Sequence, residues 1–440
     1  MKFSNYNLIY PNSKNYLLVN TLTGALFEID SIYKQIIDNN QMFLLKKEDI
    51  LLYKNTGIII EDHVNECRVL EYLLNKEKYC SKILSLTILL TWACNFACPY
   101  CFEGDKTKGT SAISSYTKNV IKEFIRKMLE TNGNISVVSI TLFGGEPLLE
   151  FNKNITWLKE IKELCEDAGK HFCTSIVTNG SLINPQVMQW LNELNCEFLQ
   201  ITLDGTREIH NQRRVKKDGS GTFDEVITGI KIALSSKTIV PLIRINIDKS
   251  NLQYIDELLI YLKNHNINMC PIDFGIIRTE NTSISNYDVD CLQEDEIGEI
   301  LITLWYKLKK LNFPIQIAPH RKNLYCGLLS DTAYTITPDG CLYKCWEYLD
   351  NNNFYIGKIE ENGNINDINY NLIDWMTKDF TENEDCCTCK YLPVCGGGCA
   401  AVSYENFNTV HKSGCFKSKS LFDAELKFYY QNMFNSTHCK

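Results

Sequence analysis

TWACNFACPYCF, residues 91–102, decides how the rest of the chain is read. It sets Cys94, Cys98 and Cys101 in a C-x3-C-x2-C spacing directly after an apolar, strand-like run, ILSLTILLTW at 83–92. Three thiolates on one short loop can hold three irons of a [4Fe-4S] cluster. Such clusters normally take four cysteine ligands, so the fourth iron is left open for something small and chelating. A zinc site is the alternative. Zinc loops usually pair two C-x2-C knuckles, and no second knuckle lies in the strand-and-helix region that follows.

The totals narrow the class. A chain of 440 residues exceeds what one core usually takes, so two or three domains are expected. The net charge of −8, from 45 basic and 53 acidic residues, is mild and has no basic run, so no nucleic-acid partner is expected. The opening MKFSNYNLIYPNSKN is polar and has no signal-peptide core. No apolar run approaches the roughly 20 residues of a membrane helix, so no membrane partner and a cytoplasmic location are expected. There thiols stay reduced, and disulfides are a poor account of 20 cysteines. Metal accounts better for the clustered ones. The isolated ones, Cys67, Cys80, Cys165, Cys173, Cys196, Cys270, Cys291 and Cys439, read as small buried hydrophobes.

Residues 1–80 read as a small α+β unit. NLIYP, NYLLVN and GALFEID suggest a three-stranded meander; SIYKQIIDNN and KKEDILLYKNTG suggest two helices, and GIIIE a short strand. Strands and helices with a small wing suggest a winged-helix-like domain, for which peptide binding and mere capping are both open. Residues 61–83 read as a charged linking helix. From 84 to 312 strand and helix patterns alternate. LSLTILLTW, SVVSITLF, FCTSIVT, EFLQITL, VPLIRINI and CPIDFGII are the strands, which argues for an α/β fold with a parallel sheet and outer helices. Periodicity does not separate a doubly wound sheet from a barrel. The cysteine loop lies at the C-terminal end of the first strand, where α/β folds place their chemistry. Residues 313–440 are loop-rich and cysteine-dense, the composition of a domain built around metal.

A second motif, TLFGGEPLL at 141–149, ends the next strand. Gly144 and Gly145 allow close backbone approach, Glu146 can accept from an ammonium group, and Pro147 stiffens the turn. Together with the cysteine loop it resembles the radical S-adenosylmethionine (SAM) superfamily, whose core is a partial (β/α)6 TIM barrel. The resemblance implies that Cys94, Cys98 and Cys101 hold a cluster whose open iron chelates SAM. It implies that Gly144, Gly145, Glu146 and Pro147 form the amino-group site. It also implies SAM-facing roles for Thr178, Asn179 and Gly180, for TLDG at 202–205 with Asp204, and for Arg244 with Asn246.

The C-terminal pattern is more specific. Cys326, Gly340 and Cys345 precede Cys386, Cys389, Cys395 and Cys399 in a C-x2-C-x5-C-x3-C spacing, with Cys415 beyond. This is similar to the SPASM extension, which binds two auxiliary [4Fe-4S] clusters, three in all with the first. By that resemblance Cys326, Cys345 and Cys399 serve one auxiliary cluster, and Cys386, Cys389, Cys395 and Cys415 the other. The first then lacks a fourth ligand. His320, Cys341 or a substrate thiolate on an open iron are the three candidates, and Cys387 reads as structural or spare.

SPASM members modify peptides and proteins, and the N-terminal unit is similar to the element that grips a leader peptide. YLLVNTLTGALFEID, at 16–30, resembles the opening of ribosomal-peptide maturases, thioether-forming ones included. The implied partners are a precursor peptide with a leader segment and a reductant such as flavodoxin or ferredoxin. The expected activity is thioether crosslinking, with carbon–carbon crosslinking as the alternative. A sulfatase-type maturase fits less well, because Trp346 and then Glu347 follow Cys345 where that group has Asp directly. A non-catalytic Fe–S protein has no use for the GGEP turn.

Overall fold

The computed structural model describes residues 1–278, 290–349, 351–366 and 369–435. Cys439 lies outside them. Six parallel strands form the centre: Ile83–Leu89, Val137–Phe143, His171–Thr178, Cys196–Thr202, Leu242–Ile247 and Ile272–Ile276. Each pairs in parallel with its sequence neighbour. The connecting helices, among them Ser115–Thr131, Leu148–Asp167 and Phe223–Ser235, cover the outside. This is the open parallel α/β barrel that the resemblance leads one to expect.

Side-chain alternation sets the two faces. On the second strand Val138, Ile140 and Leu142 are fully buried under the helices, each contributing about 1.5–3 kcal/mol. Its other face carries Thr141 and Phe143; with Ser175, Gln200 and Thr202 of the neighbouring strands they line a cavity. The barrel lumen is therefore polar enough to admit a ligand, while the outer face supplies the core.

The sheet continues beyond the six strands. Ala333–Ile336 pairs in parallel with the first strand, Ala333 opposite Ser85. The antiparallel strands Cys341–Tyr343, Tyr355–Ile359 and Ile365–Asn366 follow, making ten in one sheet. The hairpin turn between Ala333–Ile336 and Cys341–Tyr343 ends on Gly340 at φ +85°, a conformation that favours glycine. The helix Ser418–Asn435 packs along Glu294–Lys310.

The N-terminal region folds as the meander Asn7–Asn12, Asn15–Asn20, Leu26–Ile29 with helices Ser31–Asp38 and Lys47–Asn55. Its outer strands pair only with the central one among the described residues. Side chains tie it to the C-terminal helix: Tyr10 donates to Asp423 Oδ1 at 2.6 Å and Tyr430 to Glu28 Oε2 at 2.8 Å.

Two cysteine expectations need correction. Cys67 and Cys387 form a disulfide with Cα atoms 5.8 Å apart. The helix Glu66–Tyr79 packs on the turn Phe380–Glu382 just before Cys387, which brings together thiols 320 residues apart. Cys80, at the end of that same helix, is exposed. Cys165, Cys173, Cys196 and Cys270 are buried as expected.

Candidate active site

A cavity of about 590 Å³ opens at the C-terminal ends of the strands, with Cys94, Cys98 and Cys101 on its wall. The loop holding them is braced from within. Ala93 N–H donates to Thr91 Oγ1 at 3.0 Å, Cys101 N–H to Cys98 O at 3.1 Å, and Phe96 N–H to Cys94 Sγ at 3.4 Å. Burial pushes the Cys94 and Cys101 thiols up to about 12 and raises Cys98 too. Buried thiols of this kind ionise readily only with a cation on the sulfurs, so the trio suits a metal and not free thiolate chemistry.

The double-glycine turn docks on this loop. Glu146 N–H donates to Ala93 O at 2.8 Å. A Cβ on Gly145 would meet Ala93 O at 2.2 Å, and one on Gly144 would meet the Leu89 side chain at 2.4 Å. Only glycine permits that contact.

Glu146 lies behind the turn, fully buried. Its Oε1 accepts from Leu148 N–H at 3.0 Å and Thr178 Oγ1 at 2.7 Å, and its Oε2 accepts from Asn179 N–H at 2.7 Å. The carboxylate expected to receive an amino group is thus engaged by the chain's own donors. Pro147 caps the helix that begins at Leu148. Thr178 and Asn179 line the cavity, and the Asn179 amide donates to Asn95 Oδ1 at 2.9 Å.

Asp204 is fully buried, accepting from the Tyr100 hydroxyl and from Asn246 N–H at 2.9 Å. It anchors the cysteine loop from below. Arg244 reaches the cavity but is ion-paired to Asp273, and its Nε donates to Asn246 Oδ1 at 3.1 Å.

Sequence reasoning missed three residues here. Arg214 lines the cavity with its side chain 11% exposed and donates from Nη1 to Tyr100 at 2.7 Å. Its Nε is buried with no partner among the described residues. Glu103 follows the loop directly and is 7% exposed. Burial pushes its carboxyl up to about 7, while the Gly145 amide pulls it down. Glu347 sits on the opposite wall in an ion pair with Arg278, which also holds Glu405 at 3.1 Å. The Arg213–Arg214 doublet and the acid directly after CPYCF were the available signals.

An aromatic row leads across the cavity. Phe102 stacks on Phe143 with centroids 6.2 Å apart, and Phe143 meets Trp346 at 6.0 Å. Trp346 adjoins Cys345, which packs in one core cluster with Cys326 and Cys399. Burial raises Cys345 strongly and Cys326 to about 11, and the neighbouring sulfurs add to it. Cys386, Cys389, Cys395 and Cys415 line a separate cavity of about 80 Å³. Of the two candidates for an extra ligand, Cys341 packs against the same cluster as Cys326 and Cys399, and His320 does not. The Cys341 thiol donates to Asp339 Oδ2 at 3.2 Å, held there by the turn before its strand. His320 faces a different cleft, between the strand Leu26–Ile29 and the C-terminal helix.

Residues 88–262 match the model of the radical SAM superfamily. The radical SAM cyclopropyl synthase TigE of Paramaledivibacter caminithermalis is 23% identical over 460 aligned positions, spanning 93% of this chain and 92% of that protein. A cysteine-type anaerobic sulfatase-maturating enzyme of Clostridium perfringens is 22% identical over 77% of this chain and 91% of its own. The solved structure of Streptococcus suis SuiB bound to its precursor peptide SuiA superposes with a TM-score of 0.51 at 16% identity, spanning 95% of this chain and 99% of that one. Among the described residues, no helix is long and apolar enough to cross a membrane. The matched segment contains both the three-cysteine loop and the double-glycine turn docked upon it, and on that ground residues 88–262 of this enzyme are a radical SAM domain.

Proposed function

We propose that this enzyme is a peptide maturase that crosslinks a ribosomally made precursor, with a cysteine thioether as the bond formed. The observation that carries this reading is the single cavity running from the three-cysteine loop to Trp346 and Glu347, beside a second cysteine group. A substrate chain in that space meets both.

A radical SAM domain implies SAM and a [4Fe-4S] cluster, and the site fits them. Three partly buried thiols face one cavity, a glycine turn docks beside them, and nearby Arg214 has a buried Nε with no partner among the described residues. In this reading Cys94, Cys98 and Cys101 hold the cluster, Gly144 and Gly145 give SAM close backbone approach, and Arg214 takes its carboxylate. Thr178, Asn179 and Arg244 border it, while Glu146, Pro147 and Asp204 hold the turn and the loop in place. SAM on a reduced cluster supplies a 5′-deoxyadenosyl radical that removes hydrogen from carbon. Cys326, Cys345 and Cys399 would hold one auxiliary cluster, and Cys386, Cys389, Cys395 and Cys415 the other. With His320 in another cleft and the nearby Cys341 thiol bonded to Asp339, the first auxiliary cluster would have an iron position for a substrate thiolate, which favours the thioether. A leader segment would add to an outer strand of the N-terminal meander, where main-chain hydrogen bonds give affinity. Flavodoxin or ferredoxin would supply the electron.

Carbon–carbon bond formation is the second reading. It is favoured by likeness over nearly the whole chain to a relative named as a cyclopropyl synthase. One experiment separates the two. Anaerobically reconstituted enzyme, dithionite, SAM and the peptide encoded beside the gene should give a product lighter by two hydrogen atoms per crosslink. A thioether also removes one alkylatable thiol per crosslink; a carbon–carbon bond leaves thiols intact. Deoxyadenosine with an unchanged peptide would sink both.

A further inference from the structure

We propose that Glu103 is the acceptor for the α-amino group of bound SAM, the part that the motif reading gives to Glu146. This rests on the reading of the cavity as a SAM site and assigns one contact within it.

Glu103 lies two residues after Cys101 and lines the same cavity. It is 7% exposed. One oxygen, Oε2, accepts from Gly145 N–H at 2.8 Å. The other, Oε1, is fully buried and has no partner among the described residues. A buried carboxylate oxygen left unpaired costs free energy that a donor would recover. No described residue donates to it. The Lys106 charge acts on Glu103, but its ammonium donates to Leu349 O and lies 5.5 Å from the Trp92 ring centroid.

The other carboxylates near the cavity are engaged. Glu146 accepts three hydrogen bonds from Leu148, Thr178 and Asn179. Glu347 is ion-paired to Arg278. The missing partner of Glu103 is therefore a hydrogen-bond donor brought in by the ligand. It must bind between the cysteine loop and the Gly145 turn, because Glu103 bridges those two segments. The Gly145 contact also explains why the double glycine matters beyond its clearance: its amide fixes the rotamer of Glu103 and leaves Oε1 for the ligand. An amino nitrogen carries several N–H donors and suits an ionised acceptor.

The test compares full-length, anaerobically reconstituted wild-type enzyme with Glu103→Gln and Glu146→Gln. Two probes are used, SAM and an analogue whose α-amino group is replaced by hydrogen. Affinity is measured by equilibrium binding and by the change each probe makes in the EPR spectrum of the reduced cluster. Iron content checks that the variants are assembled. Gln at 103 keeps an acceptor for Gly145 N–H, so the turn is retained. Glu103→Gln should weaken SAM roughly 10- to 100-fold, as expected for loss of a charge-assisted bond, and leave the analogue's affinity as in wild type. Glu146→Gln should weaken both probes alike. Unchanged SAM affinity in Glu103→Gln at full iron content overturns the proposal, as does an equal loss for both probes. Failure of the wild-type enzyme to bind SAM at all overturns the SAM-site reading itself, a result distinct from either.

Discussion

Asn179 donates its backbone N–H to Glu146 Oε2 over 2.7 Å, tying the end of one barrel strand to the turn that ends its neighbour. Thr178 completes the link through Oε1 at 2.7 Å. Since neither donor reaches water, the carboxylate acts as a staple between adjacent strand ends. Glu146→Ala leaves three donors without an acceptor and should destabilise the protein by about 2–4 kcal/mol, at 1 kcal/mol or more for each. Thr178→Val removes one donor together with its share of the bond and should lose about 1 kcal/mol. Denaturant unfolding of both variants checks the order. Equal losses would mean the backbone donors find other partners.

The disulfide makes a separate claim about stability. It joins helix Glu66–Tyr79 to the segment beside Cys386, closing a loop with a separation of 320 residues. Disulfides are typically worth roughly 2–4 kcal/mol, and the chain-entropy relation puts so long a loop at about 5–6 kcal/mol. Cys67→Ser and Cys387→Ser should each lower the unfolding midpoint, by the same amount as reduction of the wild type. Iron content should match the wild type, about twelve per chain if the two proposed auxiliary clusters are present. A fall in iron in Cys387→Ser alone would reassign Cys387 as a cluster ligand.

His210 gives the fold a pH dependence that can be signed. It is fully buried; Asp204 N–H donates to its Nδ1 at 3.2 Å, and its Nε2 faces Thr222 Oγ1 at 3.1 Å. Thr222 donates its own proton to Arg214 O, so Nε2 carries the imidazole proton and Nδ1 has none. A second proton on Nδ1 would point at the Asp204 N–H. Burial, with the charges of Arg214 and Arg213, holds this histidine well below its ordinary range. In the unfolded chain it takes up a proton near pH 6.5; in the folded protein it stays neutral. The stability it contributes is complete above that pH and is lost as the pH falls, by about 1.4 kcal/mol per unit until the folded pKa is reached. Unfolding midpoints between pH 7.5 and 5.5 should fall more steeply for wild type than for His210→Asn. Parallel slopes would refute the assignment.

The parts of this molecule written in local pattern were readable in advance. Strand alternation from Leu84 to Ile276 and the spacing of Cys94, Cys98 and Cys101 depend on neighbours in sequence, and the parallel barrel follows from them. Contacts made across the fold were not readable. Glu146 looked like a free acceptor because its donors, Thr178 and Asn179, lie one βα unit away. Cys67 looked like a lone hydrophobe because its partner is 320 residues distant. The strands from Ala333 onward were read as loop because they are only two to five residues long. The turn TPDG between the first two was the overlooked signal, since Asp-Gly between short apolar runs marks a hairpin.

The auxiliary cluster proposed at Cys345 has a ligand set that can be counted. Cys345 is buried, with Cys326, Cys399 and Cys341 partly buried around it; the Cys341 thiol donates to Asp339, and His320 faces another cleft. If three chain thiolates alone hold this cluster, His320→Ala and Cys341→Ser should keep the full iron content and an unchanged EPR spectrum of the reduced auxiliary clusters. Cys345→Ala should lose about four irons, because the remaining two thiolates are too few to retain a cube. Adding the precursor peptide should then shift the auxiliary spectrum in the His320 and Cys341 variants as it does in wild type. A peptide with its acceptor cysteine changed to serine should not shift it. If Cys341→Ser alone loses iron, the strand Cys341–Tyr343 must rotate its thiol away from Asp339 on assembly. The open position would then be closed, and the thioether reading would lose its main structural support to carbon–carbon coupling.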